Sequence, residues 1–122
     1  MQSHITLVVD DHQAVRQALC ERIKVSFSHC ELREAGSVGE ALKIVEKEKV
    51  DIVLMDYKLP GMDGVDGTRV VLERSPHTSV VMVSMFDDVS HRSAASKAGV
   101  KAYVCKRAIS KDLIPVLQSL MN

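Results

Sequence analysis

The chain has 122 residues, 46% hydrophobic and 26% charged, a composition that fits one soluble domain built on a single core. At this length roughly two-thirds of the unfolded chain's surface can be buried, so neither disulfides nor a structural metal is required. Lys+Arg 16 against Asp+Glu 16 gives zero formal charge and aromatic content is 3%, which excludes a whole-molecule pull toward nucleic acid or anionic lipid and leaves little for stacking bases.

Apolar runs alternate with helical periodicity five times, the pattern of successive βα units. Ile5–Val9 reads as a short buried strand ending at Asp10-Asp11, and Ala14, Val15, Ala18, Leu19 and Ile23 then recur at helical spacing through about Phe27. Glu31–Ala35 alternates polar and apolar, which predicts an edge strand with one wet face. Ser37-Val38-Gly39-Glu40 is a capping box, and Ala41, Leu42, Ile44 and Val45 behind it form a core-facing stripe.

Val50–Met55 is predicted as the central strand, closed by Asp56 and the turn Tyr57-Lys58-Leu59-Pro60-Gly61-Met62-Asp63-Gly64. Val65–Arg74 is a weaker helix interrupted by Gly67 and stopped before Pro76. Val80–Val83 is a fourth strand ending at Ser84, Asp88 caps a helix through Ala98, and Gly99 takes the left-handed position after it. Ala102–Cys105 is the last strand and ends at Lys106. Ser110 is expected to cap the last helix, with Ile109 and Ile114 as a hydrophobic staple. Pro115 falls at the fifth position of that helix, which predicts a kink or a late start. This order implies a parallel sheet with right-handed crossovers on both faces, and five units occupy residues 1–122 as one domain with nothing left for a second.

Cys20, Cys30 and Cys105 cannot all pair within one chain and lack zinc-motif spacing, so they read as reduced thiols of a cytoplasmic protein. The apolar stretch after Met1 is too short for a signal peptide, and none is long enough to span a bilayer.

Four strands thus end in functional groups: Asp10-Asp11, Asp56, Ser84 and Lys106. Each lies one step past an apolar run, so all should converge on the rim where open α/β sheets place their chemistry. Carboxylates suit a hard cation such as Mg²⁺ or Mn²⁺, and an aspartate nucleophile with a lysine and a hydroxyl suits phosphoryl transfer. Taken singly, each has a plainer role. Asp10 and Asp11 can favour a helix N-terminus, Asp56 can form an Asx turn, Ser84 can be a loop hydroxyl, Lys106 a solvated charge and Tyr103 a core aromatic. Four coincidences at four strand ends favour the joint reading.

With Val-Val-Asp10-Asp11, Leu-Met-Asp56-Tyr-Lys-Leu-Pro60-Gly-Met-Asp-Gly64, Val-Ser84 and Tyr103-Val-Cys-Lys106, the chain resembles a response-regulator receiver domain over essentially its whole length. The stretch Gly99 to Lys106 is similar to receivers of the LuxR/NarL class. The resemblance implies a flavodoxin-like three-layer sandwich, its five parallel strands in the order 2-1-3-4-5 with five helices. It implies that Asp56 accepts a phosphoryl group from a sensor histidine kinase, and that Asp10, Asp11, Asp56 and the Lys58 carbonyl hold the metal. Lys106 and Ser84 would contact the phosphoryl oxygens. Movement of Ser84 would let Tyr103 rotate and alter the face of the fourth helix, fifth strand and fifth helix. Such a domain is no turnover enzyme, although it catalyses its own phosphorylation and dephosphorylation. It would act in transcription regulation through a DNA-binding output domain absent from this sequence or through a partner protein, with homodimerisation through the fifth-helix side open to it. The start at Met1 and the abrupt end at Asn122 suggest a regulator cut ahead of its output domain.

Two features depart from the family's usual pattern. Arg107 stands where many receivers have a cis proline, which predicts a trans peptide and a changed loop, because a non-proline cis bond costs about 2.5–4 kcal/mol. Met85 follows the switch hydroxyl where a small residue is usual, and its thioether should crowd the route to Asp56. Two other functions compete. A constitutive interaction module would not need the full set of rim groups. An aspartyl phosphohydrolase would need a cap that five βα units leave no residues to build.

Overall fold

A computed structural model describes residues 4–121. The reading of the amino terminus as free of a signal peptide rests partly on residues 1–3, outside the described residues.

Five strands, β1 (Ile5–Val9), β2 (Glu31–Ala35), β3 (Ile52–Asp56), β4 (Ser79–Ser84) and β5 (Ala102–Cys105), form one sheet in the order β2-β1-β3-β4-β5. Every pairing is parallel, as the alternation with helices requires. The helices are α1 (Gln13–Ser26), α2 (Val38–Lys47), α3 (Gly64–Arg74), α4 (Val89–Ala98) and α5 (Ile109–Met121). Strand side chains point alternately to the two faces and so feed two cores. Leu7, Val9, Val53, Met55 and Met82 pack with Ala41, Val45, Val71 and Ala95 of α2, α3 and α4. Val8, Leu54, Val83 and Val104 pack with Ile23 of α1 and Leu113 and Leu117 of α5.

Local chemistry sets the helix starts. Ser37 Oγ accepts from Glu40 N at 3.2 Å, while Glu40 Oε1 accepts from Gly36 N, one residue ahead of the expected partner. Asp63 and Asp88 cap α3 and α4 by accepting from Asp66 N and His91 N. Gly99 ends α4 at φ 112°, a conformation that strains any residue with a Cβ.

Four expectations need correction. Helix α3 is not interrupted at Gly67, which lies where a Cβ would meet Val38 and Met55, so its small size lets α3 approach α2 and β3. In α1 the inward face is Leu19, Cys20 and Ile23, continued by Phe27 just past its end, whereas Ala14, Val15 and Ala18 are exposed. Strand β3 starts two residues late, at Ile52, and includes Asp56; Asp51 just ahead of it accepts from Ile5 N through its carboxylate and donates its own N–H to Ile5 O. Ser110 does not cap α5: a 3₁₀ turn, Lys106–Ala108, leads into a helix that begins at Ile109, and Ile114 stays out of the core cluster. That helix runs through Pro115 rather than starting late. Pro115 and Lys111 are both exposed, where water can serve the carbonyl that proline leaves without a donor. No cis peptide occurs among the described residues, as expected at Arg107.

Candidate phosphoacceptor site

Register places the rim groups side by side. Val9 pairs with Met55, Asp56 with Val83 and Ser84 with Cys105, so Asp10, Asp56, Ser84 and Lys106 cross four adjacent strands at their carboxyl ends. The loop after Asp56 folds back tightly: Gly64 N donates to Tyr57 O at 2.8 Å, and a Cβ on Gly64 would run into the Asp56 carbonyl oxygen. Glycine is required there for lack of space, and the close approach fixes where β3 ends.

Lys106 Nζ lies 3.0 Å from Asp56 Oδ1 and 3.6 Å from Asp10 Oδ2. Asp10 and Asp56 are 2% and 6% exposed, so two carboxylates are drawn out of water beside one ammonium. Burial pushes the Asp56 carboxyl above its ordinary range, and Asp10 and Asp11 add to the rise while Lys106 opposes it. Among these residues a further cation is electrostatically favoured. The donors are oxygens, the ligands a hard divalent ion prefers. Asp10, Asp11 and Asp56, with the Lys58 carbonyl from the exposed turn, could hold such an ion.

Ser84 is buried, and its Oγ accepts from Phe86 N at 2.9 Å. It lines an open depression of about 250 Å³ together with Asp56, Tyr57, Lys58, Met85, Phe86, Lys106 and His12. Met85 is 54% exposed at this opening. Tyr103 lies outside the depression but is tied to it, because its hydroxyl donates to Phe86 O at 2.6 Å. Burial raises the phenol's pKa, consistent with a hydroxyl that stays a donor.

Sequence reasoning missed three contributors. His12 Nδ1 sits 3.3 Å from carboxylate oxygens of both Asp10 and Asp11, and its backbone N–H donates to Asp10 Oδ1 at 2.9 Å. The three form a cluster with metal-ligand spacing. Arg16 Nη1 donates to Asp10 O at 2.8 Å and anchors the β1–α1 turn. Phe86 stacks on His91, centroids 4.2 Å apart, with the Tyr57 ring edge-on to both. The adjacency of His12 to Asp10-Asp11 was a usable signal; the aromatic cluster joins two loops to the first turn of α4 and had none.

The model of the response regulator receiver domain matches residues 6–118. The chain belongs to that family. The receiver is 33% identical over 113 residues to the transcriptional regulatory protein DegU of Brevibacillus brevis, covering 92% of this chain and 48% of DegU. It is 30% identical over 115 residues to the response regulator GacA of Pseudomonas aeruginosa, covering 93% and 53%. The chain thus spans about half the length of the curated relatives it matches. Among solved structures it superposes with a TM-score of 0.91 on a LuxR-family two-component response regulator from Aurantimonas sp., at 26% identity over 98% of this chain and 86% of the other. Receivers of this family generally bind a divalent metal in an acidic pocket, as Asp10-Asp11 and its neighbours provide. No helix of the described residues is long and apolar enough to cross a membrane.

Proposed function

We propose that Asp56 is the phosphoacceptor of this receiver. One carboxylate oxygen attacks the phosphorus of a sensor kinase's phosphohistidine; the P–N bond breaks, and the imidazole leaves as an aspartyl phosphate forms. The observation that carries this reading is a nearly buried carboxylate, 6% exposed, facing an open depression with an ammonium 3.0 Å away. Lys106 neutralises phosphoryl oxygens, Ser84 donates to another, and the wall of Tyr57, Met85 and Phe86 limits water. Asp10, Asp11, Asp56 and the Lys58 carbonyl hold Mg²⁺ or Mn²⁺, which when bound supplies positive charge against the phosphoryl oxygens.

The reaction stores one phosphoryl group per chain and ends by hydrolysis, so the domain signals rather than turning over substrate. If Ser84 turns toward the phosphoryl group, it gives up the Phe86 N–H, and the loop that anchors Tyr103 is released. The phosphoryl group thereby favours one of two packings of the α4–β5 side. Residues 1–122 act as a single receiver in the cytoplasm, with a DNA-binding output domain or a partner protein as the effector.

Incubation with Mg²⁺ and acetyl phosphate tests this. Intact mass should rise by one phosphoryl group, an acid-stable and base-labile adduct that is lost in Asp56→Asn or when Mg²⁺ is chelated. A wild-type chain that gains no mass would instead fit a constitutive interaction module.

A further inference from the structure

The cation ligands named above are all oxygens, yet a nitrogen stands beside them. Among the described residues, Asp10, Asp11 and His12 are the one trio of His, Cys, Asp or Glu side chains whose ligand atoms lie within 4.8 Å of one another. His12 Nδ1 is 3.3 Å from Asp10 Oδ1 and 3.3 Å from Asp11 Oδ1. Atoms on neighbouring corners of an octahedron, each about 2.1 Å from a central ion, are about 3 Å apart. His12 Nδ1 therefore stands at coordination-shell spacing from both carboxylates. A single Nδ1–H can point along one of those two vectors, whereas an ion serves both.

The backbone fixes this arrangement. His12 N–H donates to Asp10 Oδ1 at 2.9 Å, while Asp10 Oδ2 faces Lys106 at 3.6 Å, so Asp10 links the imidazole to the phosphoacceptor side. His12 is the N-cap of α1, but its side chain makes no cap bond, which leaves the imidazole to another partner. The ring is exposed and lines the depression over Asp56, so water can receive the proton moved to Nε2 when Nδ1 ligates. The thiols are poor rivals for a metal: burial pushes Cys20 up to about 11, and Cys30 and Cys105 are buried.

Mg²⁺ keeps to oxygen ligands and gives up water reluctantly, whereas imidazole suits the later first-row divalent ions. We propose that His12 Nδ1 is a further ligand of the bound cation and tilts the site from Mg²⁺ toward a first-row transition ion such as Co²⁺ or Zn²⁺. This deepens the cation-binding part of the phosphoacceptor reading and rests on it.

The test titrates Co²⁺ and Mg²⁺ separately into the protein by calorimetry and records pulsed EPR of the Mn²⁺-loaded protein, in which a nitrogen bound to the ion modulates the echo. Oxygen sites also hold Co²⁺ more tightly than Mg²⁺, so the readout is the ratio of the two affinities. In His12→Gln that ratio should fall by at least about tenfold, and the nitrogen modulation of the wild type should vanish. His77→Gln changes an exposed histidine at the opposite rim, just ahead of β4, and should alter neither readout. Both variants keep their backbone N–H groups and touch no core contact, so matched melting curves serve as the folding control. A smaller fall in the ratio would overturn the proposal, as would a wild type without nitrogen modulation. Tighter binding of both ions by His12→Gln would make the ring a counter-charge to the two aspartates and would overturn it too. In each of these cases Mg²⁺ still binds the wild type and the phosphoacceptor reading survives, whereas a wild type that binds neither ion would remove both.

Discussion

Replacing Gly64 with alanine puts a methyl group against three backbone atoms: the Asp56 carbonyl oxygen, the Tyr57 Cα at 3.0 Å and the Asp56 carbonyl carbon at 3.1 Å. None of these can rotate away, because Asp56 is the last residue of a fully buried strand and Gly64 N is bound to Tyr57 O. Overpacking against rigid neighbours costs about 1–3 kcal/mol. The helix-propensity gain of alanine over glycine, about 1 kcal/mol in a helix interior, is mostly lost at the first helical residue. The net loss should be about 1–2 kcal/mol, a fall in Tm of about 4–8 °C for a domain this size. Gly39→Ala is the matched control. Its Cβ would meet only Ser37 Oγ at 3.8 Å, so Tm should hold or rise. Thermal unfolding followed by circular dichroism reads both. Because the pressure falls on Asp56 itself, a rise in Tm with Mg²⁺ is expected of the wild type and should be smaller in Gly64→Ala. A Gly64→Ala protein that melts with Gly39→Ala and keeps the full Mg²⁺ response would refute the reasoning.

Burial raises the Asp56 pKa, so the folded state favours its protonated form; that stability is present in acid and lost as pH rises through the raised pKa. Without metal, Asp56→Asn should therefore melt above the wild type at neutral pH, with the gap closing toward acid; an unchanged gap across that range would contradict the assignment. Tyr103→Phe removes the 2.6 Å bond to Phe86 O and should cost about 1 kcal/mol while speeding amide exchange at Ser84 and Phe86, and unaltered exchange would mean the bond does not hold the loop. Met85 is exposed at the mouth of the depression, so Met85→Ala should leave stability within about 0.5 kcal/mol yet speed phosphoryl entry or hydrolysis. If stopped-assay phosphorylation and decay rates match the wild type, the thioether does not obstruct the site.

The strands and the rim groups were legible because each rests on a strong local signal. The strand order came only with the family resemblance, the wet face of Glu31–Ala35 supporting just the edge place of β2. Parallel strands buried on both faces leave apolar runs in the sequence, and the side chain that ends each run declares itself by contrast, as at Asp10, Asp56, Ser84 and Lys106. What the sequence hid was relational. Ala14, Val15 and Ala18 have helical spacing, but only contact with β2 and α5 decides that Leu19, Cys20 and Ile23 face inward. Gly67 looked like a helix defect until the packing of Val38 and Met55 against it gave it a purpose. Ser110 has the right chemistry for a cap, yet the turn from Lys106 had already started the helix. His12 was readable beside Asp10-Asp11, but Phe86 completes the site through Tyr57, His91 and Tyr103 on other elements, which no single run of residues announces.

Phosphoryl attachment at Asp56 is the central claim, and chemical trapping of that bond reads it most directly. After brief exposure to acetyl phosphate and Mg²⁺, borohydride converts an aspartyl phosphate to homoserine, and peptide mass mapping locates it. Homoserine should appear at position 56 alone. Its appearance at position 10, 11 or 63, or its absence from position 56 in protein that has gained a phosphoryl group, would contradict the account.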